Sequence, residues 1–390
     1  MRRTIPAVAA LGLLVGIVLA GCSLLRFPPS VDFEASVTEG PTPLVVAFDP
    51  VVEGATSYRW SFGDGETSDA VAPVHVYRTA GTYTVSLTAE FVDGTVATAE
   101  RKDLVTVLPL DGKEEVRYVY WIEVSTGTIW RGPRSGGERE RAIRGGVGTT
   151  AFDVADGWIY WADQVGRAIY RARLDGSDQQ TLLTEQRYVT AIVAVPERNA
   201  ICWVRWPFAS GGTAGNQYGG VFRASLDDLE PVTLKSYGPD ADPFANGLDV
   251  DIVGKKIWWS TCHFSESGWS ECTESIMATS FLGIGRESVV SGLCMKGNIE
   301  LDTIPGFGAE HVYWIGPFLG TDAINRCNVD GTNRTELLRD ASLSGWIAVD
   351  RVEGKIYFTT HNGIERCDLD GTNREFLFEE DAMMGIVLPH

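Results

Sequence analysis

The chain has 390 residues, with 52 acidic against 33 basic side chains and a formal net charge of −19. That balance excludes a nucleic-acid groove, which needs basic side chains to neutralise phosphates, and it opposes docking on an anionic membrane surface. The length exceeds one ordinary domain, so at least two are expected, and an apolar fraction of 44% allows a sizeable core.

Residues 1–22 read as a targeting segment. Arg2 and Arg3 open it, and an almost unbroken apolar run follows from Ala7 to Ala20. The run is short for a membrane span and fits a signal peptide. Leu19-Ala20-Gly21-Cys22 resembles the bacterial lipobox. The resemblance implies lipidation of Cys22, a membrane partner held only through that lipid, and a place in the bacterial cell envelope facing away from the cytoplasm. Residues 23–30 would be a short tether.

Residues 31–108 carry a strand pattern. Tyr58, Trp60 and Phe62 alternate along one strand, which Gly63-Asp64-Gly65 then breaks. Tyr83, Val85, Leu87 and Ala89 alternate with polar residues along another. The pattern predicts a small antiparallel β-sandwich. Trp60-Ser61-Phe62-Gly63-Asp64-Gly65, then His75-Val76-Tyr77 and Gly81-Thr82-Tyr83-Thr84-Val85, resemble the PKD domain, an immunoglobulin-like sandwich. That resemblance implies an extracellular spacer, with Asp64 a turn former and His75 a packed strand residue. Residues 109–115 read as a linker.

From residue 116 to 390 the chain repeats. Ile324 to Arg334 recurs as Ile364 to Arg374, including Asp-Gly-Thr-Asn-Arg in both copies. One aromatic strand position is tracked by Trp121, Trp161, Trp203, Trp259, Trp314 and Phe358, at a spacing that predicts six blades of four strands. Asp175-Gly176, Asp330-Gly331 and Asp370-Gly371 mark tight hairpins between strands C and D. Blade one lacks an inner strand of its own, and Met384 to Leu388 is expected to supply it. Tyr160-Trp161-Ala162-Asp163 and weaker copies of it resemble the YWTD propeller of the low-density-lipoprotein receptor family. Only blade two keeps the fourth-position aspartate. The whole chain is therefore expected to be all-β, a sandwich followed by a six-bladed β-propeller.

In a four-stranded blade the B–C and D–A loops share one face. The insertions are expected there: Arg205 to Gln217 in blade three, Tyr237 to Phe244 between blades three and four, Thr261 to Glu274 in blade four, and a loop with Pro317 and Phe318 in blade five. Loops on a rigid scaffold favour binding. The candidate ligand-binding residues are Trp206, Phe208, Tyr218, Tyr237, Phe264, Trp269 and Phe318, and the expected partner is an extracellular or periplasmic protein or glycan. Cys262 and Cys272 are expected to bridge within one insertion, and Cys327 and Cys367 to be packed thiols; Cys202 and Cys294 have no assignment. No G-x-S-x-G, H-E-x-x-H or phosphate loop is present, and the histidines have no metal spacing. A monomeric binding protein without metal or cofactor is expected. The alternatives are a metal-dependent propeller hydrolase drawing on Asp153, Asp249, Asp251, Asp302 or Asp350, and a purely structural envelope protein.

Overall fold

The structure is a computed structural model, and it describes residues 30–108, 117–144, 148–206, 219–237, 244–262, 274–285, 287–293, 295–303, 308–318, 321–380 and 383–390. One compact unit ends at Val107, and the other runs on from Leu108. Among the described residues the only helix is a 3-10 turn at Pro196–Arg198. No described helix is long and apolar enough to cross a membrane.

The first unit is a sandwich. One sheet holds Asp32–Ala35, Leu44–Val51 and Val74–Tyr77; the other holds Glu39–Pro41, Val96–Leu108, Gly81–Phe91, Ala55–Ser61 and Thr67–Ser68. The expected alternation is visible in burial. Trp60, Val85, Leu87 and Ala89 are fully buried, and Phe33 meets the Trp60 ring edge-on at 5.2 Å. Gly63 sits at φ +88°, and a Cβ there would lie 2.5 Å from the Thr84 carbonyl oxygen, so the motif's glycine serves close packing as well as the turn. Asp64 accepts the Glu66 N–H at 3.0 Å and also meets His75 Nε2 at 2.7 Å. The His75 ring stacks on Phe62 at 4.1 Å. Turn former and packed histidine are thus one connected unit.

Among the described residues the second unit contains six four-stranded antiparallel sheets. Blade two follows the expected layout, with Thr149–Ala155, Trp158–Asp163, Ala168–Arg173 and Gln180–Leu183 as strands A to D. The six inner strands contact one another in sequence and close a ring. Met383–Val387 pairs with Tyr118–Glu123, with Ile386 opposite Trp121, so the closing strand is the inner strand of blade one. Trp121, Trp203, Trp259, Trp314 and Phe358 are fully buried and Trp161 is nearly so. They form the apolar wedges between blades. Three of the indoles also donate to the segment leading into their own blade: Trp121 to Glu380, Trp203 to Gln186 and Trp259 to the Tyr237 hydroxyl, each at 3.1 Å. A buried indole N–H left unpaired would cost desolvation energy, which these partners offset.

The twin segments hold neighbouring blades together. Gly331 and Gly371 have φ of +82° and +83°. A Cβ at Gly331 would lie 2.4 Å from the Val289 carbonyl oxygen in blade four, and one at Gly371 would lie 2.1 Å from that of Leu337 in blade five. Each turn therefore rests on strand D of the preceding blade. The arginines that end the motifs reach back over their own blades, Arg334 over Trp314 at 5.4 Å and Arg374 over Phe358 at 5.6 Å. Gly371→Ala combines a left-handed backbone cost with overpacking and is expected to destabilise the propeller by about 2–4 kcal/mol. Urea unfolding of the single variant measures it; an unchanged midpoint would mean that the turn does not bear on blade five.

Candidate functional site

Several expected site residues lie outside the described residues: Cys22, Phe208, Tyr218, Phe264, Trp269 and Cys272, together with the side chains of Cys262 and Phe318. The proposed Cys262–Cys272 bridge falls there too. Cys202, Cys327 and Cys367 are buried free thiols, and burial pushes their pKa values up to about 12, 11 and 12.

Two loop boundaries differ from the sequence reading. Tyr237 ends strand D of blade three, Val232–Tyr237, rather than opening a loop. It is 8% exposed, and its hydroxyl accepts the Trp259 indole proton, so packing has claimed it. Pro317 and Phe318 belong to strand B of blade five, His311–Phe318, whose partner strand begins at Thr321. Strand A pairs with that strand only as far as Ile315, so Pro317 has a neighbour on one side alone, where proline is tolerated. Blade five therefore has a tight B–C hairpin. The long B–C segments are those of blades three and four, between Arg205 and Gly219 and between Cys262 and Glu274. With the D–A segment between Tyr237 and Phe244, they leave the same face of adjacent blades.

At the foot of those segments, blade three presents a cluster the sequence reading did not assemble. Trp206 is half-buried, packs against the core of blades three and four, and donates its backbone N–H to the Tyr188 carbonyl at 3.0 Å. Arg205 lies over the Phe222 ring at 4.7 Å, and burial lowers its pKa. Arg167, Glu185 and Tyr188 have φ of 54°, 57° and 56°, a left-handed conformation that is costly for bulky side chains.

The ring encloses a cavity of about 1020 Å³, lined among others by Phe152, Asp153, Asp249, Asn298, Glu300, Trp346 and His390. Two tiers of side chains tie successive inner strands together across its wall. In one tier, Thr150 donates to the Val189 carbonyl at 2.7 Å, Thr190 to Asn246 at 3.0 Å, Asn246 to Gly297 at 3.1 Å and Asn298 to Ile347 at 2.8 Å. In the other, Asp153 accepts the N–H of Val154 and, across the blade boundary, of Ala194; Asp249 likewise accepts from Val250 and Leu301. Glu300 repeats the device toward Val349. Asp302 instead binds His311, with Nδ1 at 2.6 Å, and Asp350 pairs with Arg134. Among the described residues no three His, Cys, Asp or Glu side chains converge as metal ligands.

Burial raises the pKa of Asp153 and Glu300, and it raises Asp249 from 3.8 to about 7, with the backbone donors and His390 opposing the rise. The folded chain therefore keeps a proton on Asp249 between those values, where the unfolded chain has released it. Stability is expected to fall as pH rises through that window. Urea midpoints at about pH 5 and about pH 8 should differ in favour of the acid side, and Asp249→Asn should narrow the difference. A midpoint that rises with pH in the parent chain would refute the assignment.

Comparison with known proteins bears on both units. Residues 28–107 match the family model described as the PKD domain. The protein cueball of Drosophila virilis is 24% identical over 225 residues, which is 54% of this chain and 31% of that protein. The chain thus spans less than a third of the length of this curated relative, at 31%. A chain of the nidogen/laminin complex superposes with a TM-score of 0.55 at 16% identity, over 70% of this chain and 97% of that one. TolB from Acinetobacter baumannii gives 0.54 at 11% identity, over 80% and 81%. These likenesses show a propeller-like fold. The family match makes residues 28–107 a PKD domain, and a closed β-propeller follows it in the chain.

Proposed function

We propose that this chain is a lipid-anchored, extracytoplasmic binding protein. In this reading the PKD domain is a spacer, and the propeller, of the YWTD type, takes a protein or glycan on the face that carries its B–C and D–A loops. One observation carries the proposal: the long connections of blades three and four leave one face, while the opposite face is made largely of short turns that rest on the preceding blade. A scaffold with a plain face and an elaborated face fits recognition by loops. Support for binding over catalysis comes from the channel carboxylates, because Asp153 and Asp249 each use both oxygens on backbone N–H groups. The lipobox resemblance at Cys22 supports the anchor, and metabolic labelling with palmitate, lost in Cys22→Ala, tests it.

The binding test uses the chain without residues 1–22 on protein and glycan arrays. A ligand is expected, and its binding should be lost in the Trp206→Ala, Trp269→Ala double variant. The variant's melting curve shows whether it is folded. Undiminished binding by a folded double variant would remove the loop face from the reading.

A further inference from the structure

Among the described residues, five blades join strands C and D by the same turn. Gly136, Gly176, Gly283, Gly331 and Gly371 each have a φ between +74° and +83°. Each donates its N–H to the carbonyl three residues earlier at 2.8–2.9 Å. The residue before the glycine is Ser135, Asp175, Asp330 or Asp370 in four of these turns, and Leu282 in blade four. The three aspartates accept the N–H two residues on at 2.9 Å, which caps the turn. In blade four Ser280 Oγ takes over that role and accepts the Ile284 N–H at 3.1 Å. Leu282 is thus released from shaping the turn, yet it is 71% exposed, and Ile284 is 70% exposed. The turn is held in place, because Gly283 rests against Leu234 of blade three. Folding has no use for two apolar side chains at these tips, and solubility opposes them.

Two arginines stand beside the turn. The guanidinium of Arg198 lies 6.0 Å from the Phe281 ring centroid, and that of Arg223 lies 5.9 Å from the same ring. Arg198 also donates to the Ile252 carbonyl at 2.9 Å, and the Phe281 N–H donates to the Lys255 carbonyl at 3.1 Å. These bonds bring the A–B turn of blade four, with exposed Val253, to the same place. Among the described residues neither arginine forms an ion pair. The neighbouring acidic groups are turned to other tasks: Glu197 lines the central cavity, and Asp227 accepts the Asn199 amide at 2.6 Å.

We infer that the C–D turn of blade four is a docking surface for a partner polypeptide, with Leu282, Ile284 and Val253 as its apolar contacts and Arg198 and Arg223 as its charges. The segment it takes carries apolar side chains next to carboxylates. Charge complementarity selects that occupant: two unpaired guanidinium groups match planar carboxylates, whereas a net charge of −19 repels an anionic bilayer. Arginine, an aromatic ring and exposed aliphatic side chains in one patch are also what protein interfaces concentrate. The surface lies opposite the long loops, so the inference does not depend on the loop-face reading.

The test is calorimetric titration of the full chain with a random copolymer of L-glutamate and L-tyrosine, and separately with poly-L-glutamate at equal carboxylate concentration. The copolymer should bind, and more tightly than poly-L-glutamate. Leu282→Asn with Ile284→Thr gives blade four the polar turn of its neighbours, so the chain should stay folded while copolymer binding weakens about tenfold or more. Arg198→Ala should weaken it similarly, and Arg339→Ala, which removes a remote charge, should leave it unchanged. The surface is overturned if the folded chain does not bind the copolymer, if the turn variant and Arg198→Ala bind as well as the parent, or if Arg339→Ala weakens binding equally. Binding to phosphatidylglycerol vesicles that is tighter than to the copolymer, and that the turn variant loses, would overturn the polypeptide in favour of a membrane. Self-association in sedimentation that the turn variant abolishes would overturn a separate partner in favour of a second copy of this chain.

Discussion

Deleting Met384 to His390 is expected to abolish cooperative unfolding of the propeller. Those residues supply the inner strand of blade one, where Ile386 is 2% exposed and lies opposite fully buried Trp121. Met384, Val387 and Leu388 pack on either side of the same blade. Exposing about four apolar side chains costs about 6–10 kcal/mol, as much as the whole stability of an ordinary domain. Near-UV circular dichroism during a thermal scan is the measurement, and an undiminished cooperative transition would contradict the closure. A milder variant covers the case in which the truncated chain is never recovered. Ile386→Ala keeps the strand and should cost about 2–4 kcal/mol.

Arg134→Ala should be the most damaging single substitution at the seam between blades six and one. The Arg134 guanidinium pairs with Asp350, and both side chains are 10% exposed. It also donates to the Tyr118 carbonyl at 3.3 Å, while its own carbonyl accepts from Arg366 at 2.8 Å. Removing it leaves the Asp350 carboxylate buried beside Glu353, and stranding one member of such a pair costs about 3–5 kcal/mol. The double variant Arg134→Ala, Asp350→Ala should be more stable than Arg134→Ala alone, because the stranded charge is gone. Urea denaturation of the set forms a double-mutant cycle, and strict additivity would show that the two groups do not interact.

Period and punctuation made the architecture legible. The Trp121-to-Phe358 series and the Asp-Gly turns set the blade register, and the kinship of Met384–Leu388 with an inner strand foretold the closure. Misplaced were residues whose local signals conflict with their packing. Tyr237 precedes Gly238-Pro239, which reads as a loop, yet its hydroxyl is needed by Trp259. Pro317 reads as a strand breaker, but it lies where strand B has lost one neighbour. His390 offered no sequence signal. Its ring comes within 3.2 Å of Asp153 because the chain bends past blade one to the end of blade two's inner strand.

The Asp-Gly turns have a consequence for how the chain is made. Each of the twin turns seats on the outer strand of the blade before it, so those blades find their platform already synthesised. A chain emerging from its N-terminus can therefore stack blades in order. Blade one is the exception. Its outer three strands come first among the blades, but its inner strand is Met383–Val387. The earliest blade thus stays incomplete until nearly every other residue has appeared, which leaves Trp121 and Ile122 uncovered and makes that blade the point where a holding chaperone would be needed longest.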